Sequence, residues 1–394
     1  MLGDVGWQFS VHKSDSAALL VVDLAAEPGD TELAVEVLTA TDTRTSQVSV
    51  ISAEGAHLAV HQLPEAMASW SGGSIEPAFR EALRQLGDPR IEVDTLAPLL
   101  LLRLHAGTDA LRLEALMASR LRKAGALFTR VATLAYDGAE PIGAIAIGAL
   151  TYPHGLTDSV STETQVYTGF ERGTEIEVKL TVQDDTPVWA LASAMYQKLE
   201  QGGMPGFVAD LGNEMQRWQF TMHMYEVLAP EASIGYISFS PKPSGKFVVH
   251  QKMFREDALR RQESSRYDVE IPGGDFDAYL AMDYPELVVR RMPSYRRSRF
   301  DVNIESALTG HFFGIEIDEV TELSSGKTLR QVEIEYHHSR VHQGLSPSTI
   351  EVEMERLIAV VRRELADRGV AVERSFYSKL SFLKDCEKSA ALPT

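Results

Sequence analysis

The second half of this 394-residue chain carries carboxylates and bases at alternate positions along several short segments. In the run from Gly173 to Val182, Glu175, Glu177 and Lys179 fall on one side, and Ile176, Val178 and Leu180 on the other. Successive side chains of a strand point to opposite faces, so this spacing predicts strands with one charged and one apolar face. Glu316 and Asp318 flank Ile317 in the same way, and Glu333 and Glu335 flank Ile334. Basic counterparts exist. Arg297 and Arg299 share a face with Asp301, opposite Phe300 and Val302, and His250 shares a face with Lys252. Carboxylates held side by side suit a hard divalent cation and can position a water for attack. Arginines and lysines gathered on facing walls suit phosphate oxygens.

One such strand alone is ordinarily the wet outer face of a sheet. Three acidic pairs and two basic ones within one region predict a closed barrel, with charged faces inward and helices over the apolar faces. Segment Ser348–Arg368 supplies a cover, because Ile350, Met354, Leu357, Ile358, Val361 and Leu365 form a stripe at helical spacing. Ser346 or Ser348 can cap its start and Gly369 can end it. His337 and His338 follow the last acidic pair. Adjacent residues on a strand face opposite ways, so both cannot enter one site without a bend, and they read as polar residues at a strand end.

Residues 170–384 are expected to form the barrel domain. Residues 151–169, rich in Thr, Ser, Gly and Pro, read as a linker, and 385–394 as a tail. Residues 1–150 read as a smaller N-terminal α/β or α+β domain. Ala17–Leu24, Glu32–Leu38 and Val48–Ile51 are its expected strands, and Ser74–Leu86 and Thr108–Lys123 its expected helices. No clustered metal ligands occur there.

The 38 basic and 56 acidic residues leave a net charge of −18, a field that repels nucleic acid and anionic lipid as generic partners. The one cysteine, Cys386, excludes an internal disulfide and a multi-cysteine zinc site. No segment reaches the run of about 18–20 apolar residues that a membrane helix needs. The first residues, Met1 to Trp7, have neither a basic nor an apolar stretch of a secretory signal, so a cytoplasmic protein is expected.

The ordered series of charged strands resembles the CYTH superfamily, the triphosphate tunnel metalloenzymes. The family's first-strand motif, Glu-x-Glu-x-Lys, stands here as Glu175-Ile-Glu177-Val-Lys179. Its late acidic strands resemble Glu316-Ile-Asp318 and Glu333-Ile-Glu335, its basic strand Arg297-Ser-Arg299, and its closing Ser-Lys the pair Ser378-Lys379. The resemblance spans about Phe170 to Lys384. It implies an α+β architecture: an eight-stranded antiparallel barrel with covering helices, forming a tunnel for triphosphates, with Mg2+ or Mn2+ as cofactor. It further implies that Glu175, Glu177, Glu333 and Glu335 bind the metal. Lys179, His250, Lys252, Arg297, Arg299 and Lys379 would bind phosphate. Glu177, Lys179, Asp318 and Glu335 would serve catalysis, Glu335 or Asp318 by positioning a water. The implied partner is a triphosphate, a nucleotide or another phosphorylated small molecule, with a homodimer as one option for assembly. Segment Ser233–Ser240, taken as the family's second strand, lacks the arginine pair usual there. Beside a metal-dependent hydrolase or phosphotransferase, a nucleotidyl cyclase of the same fold and a non-catalytic binding module therefore stand as alternatives.

Overall fold

The alternation of charged and apolar residues closes into a barrel within residues 169–305, 311–338 and 347–394, one of two compact units of the chain. The structure is a computed structural model. It describes residues 1–4, 19–24, 32–38, 43–71, 74–105, 111–122, 125–136, 140–156, 167–210, 214–342 and 344–391. The barrel strands are β1 (Thr174–Val182), β2 (Gln216–Ala229), β3 (Gly235–Pro241), β4 (Phe247–Met253), β5 (Arg260–Val269), β6 (Tyr295–Ser306), β7 (His311–Glu322) and β8 (Thr328–Arg340). Their hydrogen-bonded order is β1-β8-β7-β6-β2-β3-β4-β5, and β5 returns to β1, so the eight-stranded antiparallel barrel is closed.

Four strands turn an apolar face outward. Ile176, Val178 and Leu180 of β1, Phe300 and Val302 of β6, Ile315 and Ile317 of β7, and Val332 and Ile334 of β8 join one core. Helices α1 (Val188–Glu200) and α3 (Ile350–Asp367) cover it. The six stripe residues of α3 are all buried, and burying side chains of this size stabilises by about 1.5–3 kcal/mol each. Gly369, at φ 73°, ends the helix: its N–H donates to Ala366 O and that of Val370 to Leu365 O. The N-cap is Thr349, one residue beyond Ser348 and the last residue of a short 3-10 turn, Pro347–Thr349.

On the opposite wall, Tyr225, Val227, Ile237, Phe239 and Val249 pack against α2 (Phe276–Asp283). The outer face of β5 is uncovered: Arg260, Gln262, Ser264 and Arg266 are exposed. Helix α4 (Lys379–Ala391) closes one end. Its Leu380, Leu383 and Cys386 pack against Met222, Met224, Tyr295, Val320 and Leu329, which lie on the inward face of β2, β6, β7 and β8 near that end. Residues 385–391, read from sequence as part of a tail, thus belong to a helix, and 392–394 lie outside the described residues.

The other unit comprises residues 1–168, 306–310 and 339–346. Among the described residues it holds a five-stranded and a four-stranded sheet, whose pairings are antiparallel, so it is α+β. Strands Leu19–Val22, Val35–Leu38 and Arg44–Ile51 and helix Pro77–Leu86 lie where the sequence places them. The second expected helix is a correction: Leu111–Arg122 is a strand between Leu100–His105 and Gly125–Tyr136. Leu113 to Met117 are buried on both faces, so apolar residues run on without alternation and imitate a helical spacing. Residues 108–110 and 123 of that expected helix lie outside the described residues. Helix Ile142–Leu156 extends into the expected linker, of which 157–166 lie outside the described residues. No helix among the described residues is long and apolar enough to cross a membrane.

Candidate active site

The inward faces of the barrel enclose a cavity of about 1260 Å³. Register fixes which charges meet. Lys179 of β1 lies opposite Glu333 of β8, Glu177 opposite Glu335, and Glu175 opposite Arg261 of β5. Arg299 of β6 lies opposite Asp318 of β7. Because the strands alternate strictly, each of these charges points away from the apolar cover and towards the others.

The bases are tied to acids in a continuous network. Lys179 Nζ pairs with Glu177 at 2.6 Å and also with Glu333. Lys379, at the first position of α4, donates to Glu333 at 2.6 Å and pairs with Asp318 at 2.9 Å. Arg297 and Arg299 each donate two hydrogen bonds to Asp318, at 2.6–3.0 Å, and Arg299 reaches Glu333 at 2.7 Å and pairs with Glu316. Lys252 pairs with Glu175. His250 Nδ1 lies 2.9 Å from Ser265 Oγ and 3.2 Å from Glu263.

These contacts split the carboxylates into two groups. Burial would raise the Glu177 carboxyl, but Lys179, Lys252 and Arg261 hold it down to about 2. Burial likewise opposes ionisation of Glu333, and Lys179, Lys379 and Arg299 overcome it, holding that carboxyl well below the usual range. The other group goes the opposite way. Burial, then the neighbouring Glu316 and Glu175, push Glu335 well above the usual carboxylate range. Burial and Glu177 raise Glu175, and burial raises Glu316 despite Arg299. Carboxyls that burial raises thus collect beside carboxylates that neighbouring bases hold down.

Three of these carboxyls stand close enough together to share a cation. Glu175, Glu177 and Glu335 bring one ligand oxygen each within 4.8 Å of one another. Glu175 is 6% exposed, and its Oε2 has no hydrogen-bond partner. An all-oxygen donor set with an orphaned buried oxygen fits Mg2+ or Mn2+.

The structure brings Glu175, Glu177, Lys179, His250, Lys252, Arg297, Arg299, Glu333, Glu335 and Lys379 together around the cavity. Asp318 sits behind them at 1% exposure, held by both arginines and Lys379, and is not part of the lining. Glu333 converges on Lys179, Lys379 and Arg299 rather than on the three clustered carboxylates.

Sequence reasoning missed Arg261 and Glu263 on β5, and Arg217 and Trp218 on β2. Arg261 is 3% exposed and donates to Glu177 at 2.7 Å and to Phe376 O at 2.7 Å. Segment Ser233–Ser240, read as the second strand, corresponds to β3; the second barrel strand is β2, and it carries Arg217. Asp301 also lines the cavity, and burial pushes its carboxyl up to about 6. The signal available for β5 was the alternation Arg261, Glu263, Ser265, Tyr267, which needed no apolar partner face.

No family model matches the sequence, and no curated protein matches it. Among solved structures, HpAC1 from Hippeastrum, an adenylyl cyclase candidate described as having a dominant triphosphatase activity, is similar over 56% of this chain and 97% of its own, at 14% identity and a TM-score of 0.31. The Pct1 RNA triphosphatase of S. pombe is similar over 49% of this chain and 81% of its own, at 12% identity and a TM-score of 0.23. Superpositions this loose carry no argument. The closed strand order and its inward charge do, and they make the fold CYTH-like.

Proposed function

We propose that the tunnel is the active site of a divalent-cation-dependent enzyme that acts on a triphosphate or nucleoside triphosphate by hydrolysis or phosphoryl transfer. The observation that carries this reading is the cluster of Glu175, Glu177 and Glu335 with its orphaned oxygen, set among buried bases. When bound, a Mg2+ or Mn2+ ion supplies charge neutralisation at phosphate oxygens. Glu175, Glu177 and Glu335 would hold it.

The chain's own residues do the rest. Lys179, Lys252, Arg297, Arg299 and Lys379 offer donors from several walls, which suits a chain of phosphate groups better than a single one. Each of these bases is engaged by a carboxylate in the ligand-free protein. Lys179 and Lys252 are held by Glu177 and Glu175, two of the residues that would hold the cation, so with it bound these lysines would be released towards phosphate. Asp318 positions Arg297 and Arg299 through paired hydrogen bonds and does not itself meet the substrate. Asp301, whose carboxyl burial pushes up to about 6, is the group suited to accept a proton from an attacking water near neutral pH.

Incubation of the protein with tripolyphosphate or ATP plus Mg2+ or Mn2+, followed by product analysis, tests this. Orthophosphate release is expected. A cyclic nucleotide product would replace this reading by cyclisation, and ligand protection without turnover by a binding module.

A further inference from the structure

The tunnel wall changes character along its length. At the end closed by α4 it is basic: Lys379 lies on α4 itself, and Arg261 donates to Phe376 O just before that helix. Away from that end the lining turns aromatic. On β2 the inward positions run from Met222, packed with α4, through Phe220 to Trp218, which stands opposite Arg299 in register. On β5, Tyr267 shares the parity of Arg261, Glu263 and Ser265. It lies six residues beyond Arg261, about 20 Å at the rise of a strand.

Both rings line the cavity, yet Trp218 is 48% and Tyr267 69% exposed. Val248, in the bulged stretch of the β4–β5 ladder that holds Tyr267, and Pro241 and Pro243 of the β3–β4 turn extend this apolar lining. A single exposed aromatic needs no explanation. Two on the inward face of one tunnel, beyond its bases, do. Because α4 closes the basic end, a chain of phosphates drawn to Lys179, Arg297 and Lys379 enters from the other end. Whatever group that chain carries is then left beside the two rings.

We propose that Trp218 and Tyr267 are specificity residues: they stack on a nucleobase attached to the triphosphate, so the tunnel prefers a nucleoside triphosphate to inorganic tripolyphosphate. Ring faces suit this role, since every base offers a π-face to an aromatic side chain. This inference rests on the reading of the tunnel as a triphosphate site and adds the class of substrate.

The test is calorimetric titration of the full-length protein, with Mn2+ present, by tripolyphosphate and by the β,γ-imido analogue of ATP. Trp218→Leu and Tyr267→Leu should each lower the ratio of nucleotide to tripolyphosphate affinity by about 5–150-fold, the range that the loss of one stacked base gives. Trp218→Phe keeps a ring face without the indole N–H and should keep the ratio. Both side chains are largely exposed, so the variants should fold, which circular dichroism checks. A ratio unchanged in either leucine variant, or lost as fully in Trp218→Phe as in Trp218→Leu, overturns this inference. The proposed function then stands as long as tripolyphosphate binds. Binding of neither ligand by the wild-type protein overturns both.

Discussion

Both units of the chain bury charge, and they do so with different results. In the unit that contains the N-terminus, Glu114 is fully buried. Its Oε1 accepts from Leu33 N at 2.8 Å and from Arg130 at 3.3 Å, and its Oε2 lies 2.9 Å from His105 Nε2. Every oxygen of that carboxylate has a partner. In the barrel, both oxygens of Glu333 have partners and Glu177 Oε1 takes Lys179 and Arg261, yet among the described residues the Glu335 side chain makes no hydrogen bond or ion pair and Glu175 keeps an orphaned oxygen. Buried charge on its own is therefore architecture. A site is marked by charge that the protein buries and leaves unmatched.

The sharpest way to break this contrast is to remove one tunnel carboxylate's charge while keeping its shape. Glu177→Gln should abolish turnover, because the cation is the largest local charge in such a site. Near-normal, cation-dependent turnover by a folded variant would show that the glutamates of β1 are architecture too. In the other unit the expected loss is of stability instead. Glu114→Ala removes the buried carboxylate that Arg130 and His105 share and should cost about 3–5 kcal/mol in chemical denaturation, with kcat of the folded protein unchanged. A loss of kcat without a loss of stability would reverse the two roles. Smaller again is Arg299→Ala. Its neighbours Arg297 and Lys379 would share the phosphate load under the proposed function, so the rate should fall by about 10²–10³ or less, with a rise in KM.

The contrast was only partly legible in the sequence. β1, β6, β7 and β8 announced themselves because α1 and α3 cover their outer faces, forcing Ile, Val and Phe to alternate with the lumen charges. β5 did not, because its outer face is open to water: Arg260, Gln262, Ser264 and Arg266 stand where apolar residues would mark a strand. Arg261, the main partner of Glu177 from that wall, was hidden with it. Leu111–Arg122 failed for the opposite reason, its stretch Leu113–Met117 being buried on both faces. The parity argument for His337 and His338 was sound, since only one of them faces inward. What it could not show is that Gly314 on the neighbouring strand leaves room for the ring.

A finer test uses pH. Glu175, Glu316 and Glu335 hold their protons above the ordinary carboxylate value of 4.5, mainly through burial. The folded, cation-free barrel therefore binds more protons than the unfolded chain, and these groups lower its stability as pH rises above about 4.5. A divalent cation competes with those protons, so the stabilisation it confers should grow with pH. Thermal melts with and without Mn2+ between about pH 5 and 8 check this. A cation effect that is constant or shrinks with pH would mean that the raised carboxyls are not its ligands.

The central claim is that unmatched glutamates and matched bases form one device, in which the cation releases the bases for phosphate. Calorimetric titration of tripolyphosphate into the protein, with and without Mn2+, addresses it most directly. The account predicts affinity higher by about 5–150-fold in the presence of the cation, and no such gain in Glu177→Gln. Equal affinity with and without the cation in the wild-type protein would contradict it.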